Sequence, residues 1–160
     1  MGSETKQTQI FVNQDNDGGH ALWDVGKHPF NKKSLNNQTM QNTQLSTLDN
    51  ILSQSGNITN LKMIKIDTEG AELNVIKGAV NTIGKYDVPY IICEINRFGL
   101  QQMGTNETEL REFISSLGYE TYLLVSNNSS NQLVKLPIGK YYQTSHVFNV
   151  LFTRLDFISQ

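Results

Sequence analysis

The sequence predicts an α/β fold, with a sheet that is parallel at its centre and antiparallel in its C-terminal strands. Three observations carry this. Two short apolar runs, residues 61–66 and 90–93, are apolar enough to be buried on both faces and end in the acidic residues Asp67 and Glu94. Between them Val75, Ile76, Ala79, Val80 and Ile83 recur close to the helical period. A further helical stretch and a strand–turn–strand follow, so strands and helices alternate and then close on an antiparallel pair. Crossovers between parallel strands are right-handed, which puts helices on both faces of such a sheet.

Taken in order, residues 9–13 read as a short strand and residues 15–19, rich in Asp, Asn and Gly, as a turn. Residues 20–30 form a loop holding Trp23 and Pro29. Residues 31–44 are polar and predict an exposed, mobile loop. Residues 46–49 lead into a short helix near 50–53. Residues 61–67 predict a strand and 71–83 a single helix, with Gly84 placed to end it. Pro89 precedes the strand 90–94. Asn106 with Glu109 resembles a capping box, opening a helix whose Leu110, Phe113, Ile114 and Leu117 share a face and which stops at Gly118. Residues 119–125 and 132–136 predict a hairpin about a turn at 126–131, and 146–153 a last strand. There is no internal repeat and no domain boundary, so residues 1–160 read as one domain.

The bulk composition excludes more than it selects. The 160 residues carry a formal net charge of −2 with no cluster of Lys and Arg, which argues against a nucleic-acid partner. The lone cysteine, Cys93, rules out an internal disulfide. No secretory leader or membrane-length apolar run is present, so the expectation is a cytoplasmic protein without a membrane partner.

The most informative stretch is Lys65-Ile66-Asp67-Thr68-Glu69-Gly70-Ala71-Glu72, a strand end that turns through glycine into a helix. Open α/β sheets place ligands outside the carboxyl ends of their strands. Together with Thr47-Leu48-Asp49, Val75-Ile76-Lys77-Gly78-Ala79, Ile91-Ile92-Cys93-Glu94 and Leu117-Gly118-Tyr119, it resembles the FkbM-type methyltransferase family. The loop Asn16-Asp17-Gly18-Gly19-His20-Ala21-Leu22-Trp23 is similar to the one preceding those motifs in many members. The likeness runs from about residue 11 to residue 125. It implies a Rossmann-like class I methyltransferase sheet, S-adenosylmethionine as cofactor, and methylation of a hydroxyl on a sugar or other small-molecule acceptor. The family's opening strand with its glycine-rich turn, and its second strand ending in an acidic residue, are not matched. Gly18-Gly19 lies in a polar turn and is not that motif. The resemblance is therefore to the C-terminal portion of the domain.

On that resemblance Asp67 borders the cofactor and the acceptor, and accepts the hydroxyl's proton as the methyl moves. Its alternative role is to cap the following helix. Glu69 is the next candidate base. Glu72 reads as a favourable charge at the positive end of the helix dipole, and Gly70 as the residue that permits the turn. Glu94 ends a neighbouring strand ~5 Å away. It either faces the same pocket or hydrogen-bonds loop backbone. With Asp67 it could hold a divalent metal, although two carboxylates are a weak signal. Asn96 and Arg97 follow at the same rim. His20 and Trp23 are candidates for acceptor contact, with packing as their alternative. Asp49 is a possible cofactor contact or simply part of a helix start. His28 and His146 lack zinc-ligand spacing.

Two other readings stand beside the methyltransferase. One is a non-catalytic subunit that pairs with another chain. The other is a metal-dependent enzyme using Asp67, Glu69 and Glu94. The first follows from the unmatched strands: the strand 61–67 would then be a sheet edge, with no proline and only Lys62 and Lys65 as charges. Such an edge invites self-association or an N-terminal partner segment.

Overall fold

The computed structural model describes residues 1–55, 58–127 and 130–154. Two sheets make up the framework. The first is a ribbon in which β1, Lys6–Val12, pairs antiparallel with β2, Thr39–Leu45, from Lys6 opposite Leu45 to Val12 opposite Thr39. The expectation of a loop over 31–44 is thus corrected. That segment holds α1, Lys32–Asn36, and all but the last residue of β2. The reason lies in the ribbon. Most β2 side chains are exposed or half-buried, so Thr, Gln and Asn suffice and no apolar alternation marks the strand. β1 likewise begins earlier than expected, through Lys6, Gln7 and Thr8.

Side chains tie the ribbon's open end together. The Asp15 carboxylate accepts from the Lys33 and Ser34 amides at 3.0 and 2.8 Å, at the start of α1. Buried Asn13 accepts from the Asp15 and Asn16 amides at 2.9 and 3.0 Å, which fixes the turn before Gly18-Gly19.

The second sheet has five strands in the order β3, β4, β7, β5, β6, where β3 is Met63–Ile66, β4 Tyr90–Ile95, β5 Glu120–Asn127, β6 Ser130–Lys135 and β7 Phe148–Thr153. β3 and β4 lie side by side and parallel, as the apolar runs predict. β4 and β5 are each antiparallel to β7, which runs between them. The antiparallel C-terminal strands are as expected, but the parallel pair sits at one edge rather than at the centre. The last strand wedges into the middle of the sheet, and its residues Phe148, Val150 and Phe152 are buried there. Among the described residues β3 pairs with β4 alone, so it is an edge strand.

The helix expected over 71–83 is two helices, α3 (Glu72–Lys77) and α4 (Val80–Lys85). The break at Gly78 is imposed from outside. A Cβ at Gly78 would lie 2.1 Å from the Gly2 carbonyl oxygen, and the Asp49 carboxylate accepts from the Asn81 and Thr82 amides at 3.1 and 2.7 Å. A side chain from α2 (Leu48–Gln54) thereby starts a new helix where the sequence pattern continues the old one. Gly84 falls inside α4 and does not end it. α2 itself is capped by Thr47, which accepts from Asn50 N at 3.0 Å.

α5 (Arg97–Gln102) follows β4, and α6 (Glu107–Ser116) follows in turn. Asn106 caps α6, its Oδ1 accepting from the Glu109 amide at 3.0 Å; the Glu109 carboxylate returns to the Asn106 side-chain Nδ2 at 2.7 Å rather than to its backbone amide, a variant of the expected capping box. The main core lies between the five-stranded sheet and these helices, around Val75, Ile76, Ile91, Leu100, Leu110 and Ile114. A small second cluster of Ala21, Trp23 and Val25 packs on Phe11, Phe98 and Met103 and joins the ribbon's loop to α5. No helix among the described residues is long and apolar enough to cross a membrane.

Candidate functional site

The turn after β3 is where sequence and geometry converge. Glu69 and Gly70 both take left-handed backbone angles, φ 53° and 108°. For glutamate that conformation is strained, and three contacts hold it. The Trp23 indole donates to the Glu69 carbonyl at 2.5 Å. Asn96 Nδ2 donates to the Glu69 carboxylate at 2.6 Å, while Asn96 Oδ1 accepts from Gly99 N at 2.9 Å and starts α5. Glu72, fully buried, accepts from the Gly70 amide at 2.8 Å and from the Thr68 hydroxyl at 3.2 Å. The turn also lies backbone against backbone on α5. A Cβ on Gly70 would come within 2.2 Å of the Gly99 carbonyl carbon. Glycine is required at 70 for conformation and for this approach.

The result is a cluster of carboxylates at the strand ends. Oxygens of Asp67, Glu69 and Glu94 all lie within 4.8 Å of one another. Glu94 takes its place because β3 and β4 are parallel and in register, Ile66 opposite Cys93. Burial raises the Glu94 pKa above the ordinary carboxylate value, and the charges of Asp67 and Glu69 raise it further. Asp67 meets Lys65 Nζ at 2.7 Å, but both side chains are about half exposed, so this pair neutralises little. Glu72 behind the turn is also raised, by burial, and its Oε2 has no hydrogen-bond partner.

A cavity of about 460 Å³ opens onto the cluster. Its walls are Asp67, Glu69, Glu94 and Asn96 from the strand ends, Trp23 and His28 from the loop, and the Asn13 to Gly19 turn. No lysine or arginine lines it, so its character is acidic.

The expected site residues divide accordingly. Asp67, Glu69, Glu94, Asn96 and Trp23 come together at this cavity. Asp67 does not cap α3; that turn is held by Glu72, whose carboxylate takes the Gly70 amide. Trp23 combines both expected roles, lining the cavity while packing edge-on against Phe98 at 5.4 Å. His20 is exposed, bonds to the Asn13 amide at 3.0 Å and does not line the cavity, although its neighbours Gly18 and Gly19 do. Asp49 lies elsewhere, capping α4. Arg97 turns away from the cavity to bond Glu107 and the carbonyls of Tyr142 and Thr144. Asn13, His28, Asn31 and Val147 also line the cavity and were not singled out in the sequence, where no motif links them.

A family model described as the methyltransferase FkbM domain matches residues 2–121, three quarters of the chain. No curated protein and no solved structure matches it.

Proposed function

The chain belongs to the FkbM methyltransferase family, and from that premise we propose that it transfers a methyl group from S-adenosylmethionine to a hydroxyl of a sugar or other small acceptor at the acidic cavity beyond β3 and β4. The observation that carries the proposal is the cluster of Asp67, Glu69 and Glu94, three carboxylates with oxygens within 4.8 Å and no cation lining their cavity. This donor set fits the positively charged part of the cofactor, its sulfonium and ammonium groups. Asp67, Glu69 and Glu94 would face that charge, with Trp23 and Asn96 as the neutral wall. When bound, S-adenosylmethionine supplies an electrophilic methyl group on sulfur.

The chain's own residues would do the rest. The Asn13 to Gly19 turn and Trp23 would form the walls of the cavity opposite the strand-end carboxylates. The acceptor hydroxyl loses its proton as the new C–O bond forms, and that proton passes to the carboxylates. Asp67 and Glu69 are the bases named by their place in the sequence. Glu94, whose pKa is raised by burial and by the charges of its two neighbours, completes the set. Asn96, bonded to Glu69 and fixed by α5, orients the set. Positioning of this kind supplies much of the rate in group transfer.

Calorimetric titration with S-adenosylmethionine and with its demethylated product, each with and without Mg²⁺, tests the proposal. Binding of the cofactor without metal supports it. Binding of Mg²⁺ alone would favour the metal-dependent reading, for which the same cluster is the motive. In a methyl-transfer assay Asp67→Asn should reduce turnover and leave the thermal transition unchanged.

The position of β3 at the sheet edge gives the partner reading a specific basis. We propose that this edge accepts a strand from a second copy or from a partner segment. Sedimentation of the purified chain decides: a monomer at all concentrations would dismiss self-association through β3.

A further inference from the structure

A larger cavity, about 670 Å³, lies on the far side of Asn96, between α5, the start of α6 and the residues leading into β7. It shares His28, Asn96 and Val147 with the acidic cavity, so the two are neighbours across a common wall. Its lining differs in kind. Phe98 offers an aromatic surface, held edge-on by Trp23 and His28 at 5.4 and 4.8 Å. Around it stand Gln101, Thr108, Tyr141 and Ser145, which carry amide and hydroxyl groups. Thr108 and Tyr141 are joined by a 2.6 Å hydrogen bond, while Gln101 and Ser145 have no side-chain partner among the described residues.

The charges on this lining are already matched. Arg97 and Glu107 meet at 2.7 Å. The other Glu107 oxygen accepts from Arg111 at 3.2 Å, and the remaining bonded nitrogens of Arg97 hold the carbonyls of Thr144 and Tyr142 at 2.7 and 2.8 Å. A phosphate or carboxylate entering here finds no unpaired lysine or arginine to receive it. It also approaches the negative charges of Asp67, Glu69 and Glu94 across the shared wall, and like charges repel.

From the aromatic surface, the free amide and hydroxyl groups and the absence of an unpaired lysine or arginine, we infer that this cavity is the acceptor pocket and that it selects an uncharged hydroxylated ring with one apolar face over its phosphorylated or carboxylated counterparts. The ring's C–H face lies on Phe98 and its hydroxyls reach Gln101, Ser145 and the Thr108–Tyr141 pair. One hydroxyl points past Asn96 toward the carboxylates. The role of that hydroxyl rests on the methyltransferase reading; the charge selectivity of the pocket does not.

Saturation-transfer NMR on the full chain tests this with methyl hexopyranosides and inositol against hexose 1-phosphates and hexuronates. The neutral compounds should show transfer, and the anionic ones at least tenfold weaker binding. Ser145→Trp, at an exposed position that lines this cavity and not the acidic one, should abolish the transfer. It should leave calorimetric binding of S-adenosylmethionine unchanged. No transfer from any neutral compound, equal binding of the phosphates, or transfer that survives Ser145→Trp would overturn the assignment. Neutral-ring binding without any binding of S-adenosylmethionine to the unaltered chain would instead sink the methyltransferase reading and leave the pocket standing.

Discussion

Two clusters of charge flank α5, and they are built in opposite ways. On one side Asp67, Glu69 and Glu94 crowd together with only a half-exposed lysine nearby. On the other, Glu107 sits between Arg97 and Arg111, and both of its oxygens are bonded. The two arginines spend their other bonds on backbone: Arg97 on Tyr142 and Thr144, Arg111 on Leu136, Pro137 and Lys140. The matched cluster fastens the residues that lead into β7. The unmatched one carries repulsion that folding alone does not reward. Matched buried charge builds structure here, and the unmatched charge at the strand ends is the feature on which the proposed cofactor site rests.

The contrast can be broken from either side. The largest effect is expected from Arg111→Met. Arg111 is 2% exposed, and its loss leaves Glu107 with half its bonds and the 136–140 backbone without an anchor. Breaking a buried ion pair from one side costs about 3–5 kcal/mol, which urea denaturation would read directly. Gly70→Ala comes next. The left-handed angle and the approach to Gly99 together make a loss of roughly 3 kcal/mol the expected result, accompanied by loss of ligand binding at the acidic cavity. Asn106→Ala removes the α6 cap and should cost about 1 kcal/mol in the same experiment, without affecting that cavity.

The smallest effect sharpens the comparison most, because its sign differs. The Glu94 pKa is raised on folding, by burial first and by Asp67 and Glu69 after. A carboxyl raised in the folded state favours folding fully below its unfolded pKa and loses that contribution as pH rises through the folded value. Glu94→Gln should therefore raise the melting temperature at pH 7 to 8, and the gain should vanish below the ordinary carboxylate range. Differential scanning fluorimetry across pH reads this, and a variant less stable at pH 7 would show that the cluster is neutralised after all.

Legibility in the sequence followed burial and local chemistry. β4 was visible because apolar residues lie on both of its faces; β3 was visible through Ile64 and Ile66, although only that face is buried and Met63 and Lys65 are exposed on the other; α6 was visible because its cap is contained within Asn106 and Glu109. The acidic turn was visible because Asp67, Glu69, Gly70 and Glu72 are consecutive or nearly so. β2 was hidden by its polar composition, since a two-stranded ribbon leaves most side chains wet. The break between α3 and α4 was hidden because Asp49, about thirty residues earlier, sets it. The far walls of both cavities were hidden for a related reason: His28, Asn96 and Val147 meet only because α5 and the residues before β7 are brought to the ribbon's loop. Of the two roles the sequence allowed Asp49, a cofactor contact and a helix start, the structure shows it capping α4. A motif residue can be kept for a helix cap.

In the proposed function, the unmatched carboxylates at the end of β3 and β4 recognise the positive charge of S-adenosylmethionine. Isothermal titration of the unaltered chain, of Asp67→Asn/Glu69→Gln and of Asp49→Asn tests it most directly. The expected result is binding to the unaltered chain, at least tenfold weaker binding to the double variant, and unchanged affinity in Asp49→Asn despite its weakened α4 cap. No binding to the unaltered chain, or equal affinity in the double variant, would contradict it.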